Sequence, residues 1–356
     1  GGRRRRSHAH HLAGVAGPGE GGRERIVSAA PPPVSPVLLL SPNERVSRPA
    51  ERLLSSAGHA VTHVTTPLQA RTWLRVHRAD LAVVELDSAA VPAAEETVEL
   101  VRSLREGRGG PRVLVLTLAR GEGHLRPLFE RMHLLNFLTF GDDATIDPVE
   151  LLATVSKILT GDIFGVERYL APGAEVNELS VTGSHQKKDV VERLEAFARE
   201  SGCHVREAEA FAVAADEMVT NAVYNAPVDR DGRPRYAALS RRERVTLEPH
   251  EAVTVRYGRD GRRLCLATSD PFGSLRPEVV LDYLCKCFGR GEGQIDEKEG
   301  GAGLGLYTVL NLVHHFVLNI APGERTEAIG LLEVSQSYRR FSTRAKAFNV
   351  FVREER

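Results

Sequence analysis

Apolar residues first gather at position 36, and from there to about 160 short apolar runs alternate with longer amphipathic stretches. Short apolar runs bounded by turn signals predict strands. They fall at 36–40 (PVLLL), 59–64 (HAVTHV), 79–86 (ADLAVVEL), 111–118 (PRVLVLTL) and 136–140 (NFLTF). Helical apolar spacing predicts helices at 44–57, 67–77, 93–105 and 123–133, with a last one at 148–159. Strands interleaved with helices in this way predict a parallel, doubly wound sheet covered on both faces.

Beyond about 174 the pattern changes. VNELSVTGS (176–184) predicts a strand, and QKKDVVERLEAFARESG (186–202) an amphipathic helix stopped by Gly202. A second helix is expected from about 207 to 224, ending before Pro227. On it Glu217, Asn221 and Asn225 form one stripe beside an apolar arc of Phe211, Ala214, Ala215, Met218 and Ala222. A carboxylate and two amides at the border of a core are costly unless something pairs with them. RRLCLATSDPFG (262–273) predicts a strand ending in Asp270, with Gly273 permitting close backbone approach. Residues 274–299 hold a helical piece at 277–288 and most of a polar tract, GRGEGQIDEKEG, which suits a mobile lid. GGAGLGLYTVL (300–310) follows, with a helix expected from Leu304 to about Phe316, burying Leu306, Val309, Leu310, Val313 and Phe316. A helix entry stripped of side chains leaves its first N–H groups open to a phosphate.

Composition narrows the picture by exclusion. The 356 residues are long enough for two cores, and 47 Lys and Arg balance 47 Asp and Glu, so no net field argues for nucleic acid or a membrane surface. No apolar run reaches the roughly 18 residues of a membrane span, and the start lacks the apolar core of a signal peptide, so a cytoplasmic location is expected. Cys203, Cys265, Cys285 and Cys287 show neither a disulfide framework nor metal-ligand spacing and are expected to be reduced. Residues 1–35, with GGRRRRSHAHH and PPPVSP, carry too few large apolar groups to offset ordering and are expected to be a disordered tail.

Residues 36–160 resemble a response-regulator receiver domain. That resemblance implies a flavodoxin-like sheet with an acidic pair after the first strand, a phosphoaccepting Asp ending the third, Thr or Ser ending the fourth and Lys after the fifth. Here Ser41 and Pro42 stand at the acidic pair, Glu85 at the acceptor, Thr117 matches, and Phe140 replaces the Lys. Without metal ligands no phosphoryl acceptance is expected.

Residues 175–356, after a linker at 161–174, resemble the GHKL ATPase superfamily, and within it the anti-sigma-factor serine kinases. The resemblance implies a Bergerat-type α/β sandwich and MgATP. Glu217 matches the general base, Asn221 the Mg2+ ligand and Asp270 the acceptor of the adenine amino group. Gly301, Gly303 and Gly305, with Leu304 among them, match the phosphate-facing segment. Gly273 matches the first glycine box, although Pro271 and Phe272 separate it from Asp270 by one residue more than usual. Thr326, in GERTEAIGLLEV, matches a threonine near the adenine, and Asn225 either lines the Mg2+ side or caps the helix.

Mg2+ takes hard oxygens and keeps waters, so one Asn carbonyl plus triphosphate oxygens suffices, with a carboxylate one turn away to take a proton. The glycines do not suit a dinucleotide site, because they follow a charged tract rather than a strand. His314 and His315 are expected on the last helix, one packed and one solvated, and His185 in a loop near a helix start. Three functions remain open: phosphate transfer to Ser or Thr of a partner, an anti-sigma antagonist or sigma-factor-like protein; an ATP-dependent interaction switch; and a histidine kinase core acting on a separate protein. A homodimer is allowed; direct nucleic-acid binding is not expected.

Overall fold

Strand and helix alternate from the first element onward: β1 (Pro36–Leu40), α1 (Glu44–Ser56), β2 (Ala60–Val64), α2 (Pro67–Leu74), β3 (Leu81–Leu86), α3 (Glu95–Glu106), β4 (Arg112–Thr117), α4 (Glu122–Glu130), β5 (Asn136–Thr139) and α5 (Pro148–Thr160). This computed structural model describes residues 34–86, 94–107, 109–118, 122–141, 145–290, 301–334 and 345–354. The tail expected at 1–35 lies almost wholly outside them. These five strands pair in parallel in the order β2-β1-β3-β4-β5, the flavodoxin-like arrangement. Val37 to Leu40 are buried on both faces, which is why the strand reads as a continuous apolar run rather than an alternation. Local chemistry sets the helix ends. Thr66 and Gln69 form a capping box on α2, and Asp147 caps α5 ahead of Pro148, while Gly161 closes α5 at φ 71°.

The chain continues through a 3-10 turn (Val166–Tyr169), which buries Val166 and Tyr169, into β6 (Val176–Val181), α6 (Lys187–Glu200), α7 (Val205–Thr220), β7 (Val253–Arg259), β8 (Arg263–Asp270), α8 (Pro277–Arg290), α9 (Gly301–Leu312), β9 (His315–Ala321), β10 (Arg325–Glu333) and β11 (Ala347–Val352). Antiparallel pairing runs β6-β7-β8-β10-β9, and β11 lies parallel to β9. β11 also pairs antiparallel with β5, through Phe348 opposite Phe137 and Asn349 opposite Asn136. Among the described residues, eleven strands therefore form one sheet. The pairing protects what would otherwise be two open edges.

One core spans both halves on the face that carries α6 to α9. There Phe129 of α4 stacks on Phe288 of α8, ring centroids 5.3 Å apart, and meets Phe348 of β11 at 5.6 Å. On the other face α1, α5 and the 3-10 turn cover a second core, which encloses polar groups. Lys157 of α5 donates to Asn319 Oδ1 (3.3 Å), and Asn319 donates to Glu327 Oε2 (2.8 Å). All three side chains are buried, and the ammonium lies 4.5 Å from the centre of the Tyr169 ring. No helix among the described residues is long and apolar enough to cross a membrane.

Three local expectations need correction. The helix expected at 304–316 runs Gly301–Leu312 instead, and His315 opens β9, because the run HFVLNIA is claimed by β10 and β11 on either side. His314 and His315 are consequently both buried, and neither is a solvated helix residue. His314 Nδ1 accepts from the Glu333 N–H, and His315 Nε2 lies 2.6 Å from Asn349 Oδ1. The α-helix expected at 207–224 ends at Thr220, and Asn221–Asn225 form a wider π turn.

Candidate functional site

His204 caps α7, whose buried arc includes Ala208, Phe211, Ala214, Ala215 and Met218. Glu217 stands half-buried at the margin of that arc. One turn on, Asn221 and Asn225 stand four residues apart in the π turn, and Asn225 Nδ2 donates to Asn221 Oδ1 at 2.7 Å. That carbonyl oxygen keeps a second lone pair for a metal. The glycine-rich helix α9 closes on this pair. A Cβ added at Gly305 would lie 2.6 Å from Glu217 Oε2 and 3.4 Å from Asn221 Nδ2. Gly301, Gly303 and Leu304 occupy the first turn of the same helix, and the lid expected across 274–299 is described only as far as Arg290, mostly as helix α8.

A second group forms where β8 meets β10. Asp270 and Thr326 are directly opposite in the ladder, each 6 % exposed. Asp270 Oδ1 accepts the Phe272 N–H at 3.0 Å, and Thr326 Oγ1 is buried with no hydrogen-bond partner. Gly273, at φ 56°, lies against the turn between β9 and β10, so the two-residue spacer Pro271-Phe272 still delivers it to close backbone contact. Ser274 Oγ donates to the Ala226 carbonyl at 2.7 Å, joining this loop to the end of the asparagine turn. The sequence-predicted residues thus gather in two adjoining groups, Glu217, Asn221, Asn225 and Gly305 in one, Asp270, Gly273 and Thr326 in the other.

Burial raises the Glu217 carboxyl above its usual range, the neighbouring Asp216 adds to this, and Lys187 and Arg241 oppose it. Lys187 Nζ reaches Asp216 at 2.9 Å and Thr220 Oγ1 at 3.1 Å. Arg241 Nη2 donates to Asn225 Oδ1 at 3.0 Å. Neither cation stands out along the chain. Lys187 reads as a surface helix residue and Arg241 as one of several arginines in SRRERV, and only folding selects them.

Burial also lifts the Asp270 carboxyl to about 7, against the N–H groups of Phe272, Gly273 and Thr326 and the Arg325 guanidinium. The native chain therefore holds this proton longer than the unfolded chain does, and stability falls as pH rises from about 4 to 7. The Asp270→Asn variant should lack this loss, so urea midpoints of variant and wild type should diverge over that interval and stay parallel above it, by at most about 4 kcal/mol. Parallel midpoints throughout would show that the carboxyl is not held protonated.

At the receiver-like end, Ser41 Oγ donates to the Glu85 carboxylate, and Phe140 is buried. Thr117 Oγ1 is buried without a partner. A separate half-open cleft of about 870 Å3 lies at the other end of the β5–β11 joint, lined by Arg105, Arg112, Lys157, Glu324 and Arg353 among others. It contains none of the residues gathered around Glu217 or Asp270.

No protein-family model matches the chain, and no curated protein matches it. Solved structures do. A response regulator from Thermotoga maritima is 21% identical over 36% of this chain and 98% of its own, with a TM-score of 0.30. A response regulator receiver protein from Burkholderia phymatum is 22% identical over 35% and 95%, with a TM-score of 0.28. The signal receiver domain of a signal transduction histidine kinase from Syntrophus aciditrophicus is 18% identical over 36% and 92%, with a TM-score of 0.30.

Proposed function

We propose that the chain is a MgATP-binding signalling regulator in which a receiver-like module without phosphoacceptor chemistry is fused to a Bergerat-type nucleotide domain, and that it transfers phosphate to Ser or Thr of a partner protein. The observation that carries this reading is the pairing of a buried Asp270 with the orphaned Thr326 hydroxyl beside the Glu217–Asn221–Gly305 contact. A buried hydroxyl with no partner is costly unless a polar ligand completes it, and the neighbouring Asp270 carboxyl, which already accepts the Phe272 N–H, has acceptor capacity left for the same ligand. A purine presents an amino donor and a ring acceptor, which match that carboxylate and that hydroxyl. The Gly305 contact leaves no room for a side chain between the glycine helix and the base.

In this reading Asp270 and Thr326 orient the purine, and Asn221 Oδ1 holds Mg2+ together with triphosphate oxygens and water. Mg2+ would neutralise charge on the phosphates. Gly301, Gly303 and Gly305 bring bare N–H groups to the phosphate chain. Glu217, already raised by burial, takes the proton of the attacking hydroxyl.

The test supplies γ-labelled ATP and Mg2+ to the protein in a cell extract. Acid-stable label on Ser or Thr of another protein is expected, falling about 100- to 10,000-fold with Glu217→Gln. Acid-labile label would transfer the reading to a histidine kinase core. No label together with MgATP binding that Asn221→Ala abolishes would reduce it to an interaction switch, and no binding at all would overturn it.

A further inference from the structure

One cation of the candidate site has a hydrogen-bonding group with nothing to bond. Arg241 lies in the loop between the asparagine turn and β7, and its main chain is pinned to that turn. The Tyr224 hydroxyl donates to the carbonyls of Glu243 (2.7 Å) and Arg241 (3.3 Å). The loop is closed on itself as well, by Glu243 N–H to the Ser240 carbonyl and Ser240 N–H to Glu243 Oε1. The guanidinium lies over the Tyr224 ring, 4.8 Å from its centre, and Nη2 donates to Asn225 Oδ1. Nη1 is buried and has no acceptor. Among the described residues no carboxylate forms an ion pair with this side chain, and burial lowers its pKa.

A planar guanidinium with one edge fixed and the other desolvated is set up to bind an anion in a fixed direction. Its position identifies the anion. Arg241 bonds Asn225, Asn225 bonds Asn221, and Asn221 adjoins Glu217 and Gly305, so the free edge belongs to the Glu217 end of the site and not to the Asp270 end. Glu217 itself does not meet the need: it acts on Arg241 through charge alone, without a hydrogen bond.

We infer that Arg241 binds the terminal phosphoryl oxygens of the nucleotide and thereby makes the site prefer ATP to ADP. This rests on the nucleotide reading above. Asp270 and Thr326 would hold the purine of either nucleotide equally, so the γ-phosphoryl contact is what separates the two. The loop that supplies Arg241 is tied to the asparagine turn, and discrimination is thereby built next to the metal ligand.

Calorimetry with MgATP and with MgADP tests it, on wild type, Arg241→Ala, Arg241→Lys and Asn221→Ala, each first shown to melt as wild type does. Arg241→Ala should weaken MgATP about 10- to 100-fold, the range expected for loss of a hydrogen bond to a charged group, and change MgADP by less than about twofold. Arg241→Lys, which keeps the charge but not the fork, should fall between. Equal loss for both nucleotides would make Arg241 a structural support of the loop and overturn the inference, as would no loss for either. If Arg241→Ala alone fails to melt as wild type, the lysine variant decides: its ATP-to-ADP affinity ratio must drop. Wild type that binds neither nucleotide, or binds both independently of Asn221, defeats the underlying reading instead.

Discussion

Gly273→Ala should unfold at a much lower urea concentration than wild type. The residue sits at φ 56°, where a side chain costs roughly 1–2 kcal/mol. Steric overlap costs more. A Cβ there would lie 2.1 Å from the Ala321 carbonyl oxygen, 2.6 Å from the Glu324 nitrogen and 2.8 Å from the Arg325 nitrogen. All three atoms are backbone, so no rotamer change relieves the clash, and the turn between β9 and β10 has to move. A total loss of about 4 kcal/mol or more is expected, in the range reserved for overpacking and backbone strain. Gly161→Ala is the control, because that glycine has φ 71° but nothing within 4 Å of an added Cβ. It should cost only the conformational part. If the two variants lost equal stability, the close contact between the Asp270 loop and the turn would be wrong, and with it the support for Asp270 and Thr326.

Lys157→Met should change how stability depends on pH. Burial holds the Lys157 ammonium down to about 7, despite the favourable charge of Glu327. Between about pH 7 and 10.5 the unfolded chain binds a proton that the native chain has released, so wild-type stability gains from this residue as pH rises. Below 7 both forms are protonated and the full penalty applies, at most about 5 kcal/mol. The methionine variant carries no such penalty, so its advantage over wild type should be largest near pH 6 and shrink toward pH 10. The comparison has to be made as a difference, because Cys203 and Cys265, both raised by burial, change the slope of either protein at the alkaline end. An advantage that does not vary with pH would mean that the lysine is solvated in the native state. The cluster of Lys157, Asn319 and Glu327 lies where α5 covers strands of the other half, so the same measurement probes the seam between them.

Much of the candidate site was legible because its chemistry is local. Glu217 and Asn221 stand one helical turn apart, Asp270 ends a strand, and Gly305 falls in a segment too bare to be ordinary helix. Arg241 was not legible, since nothing in SRRERV distinguishes one arginine from its neighbours until Tyr224 pins the loop. Helical spacing placed Asn225 beside Asn221, but not that its amide would donate to the Asn221 carbonyl, nor that the two would stand in a π turn.

For the fold, the sequence alone determined the alternation of strands and helices in the first half, the capped ends of α2 and α5, and the apolar strands of the second half, all of which follow from side chains near one another in the chain. Tertiary structure decided three things. It joined β11 to β5, which made a single sheet of two strand systems. It ended α9 at Leu312, so that His315 could enter a strand. And it enclosed the Lys157 side chain between α5 and the sheet. The first two depend on which distant strand competes for the same backbone N–H and C=O groups, the third on which strands α5 packs against, and both are settled only when the partners meet.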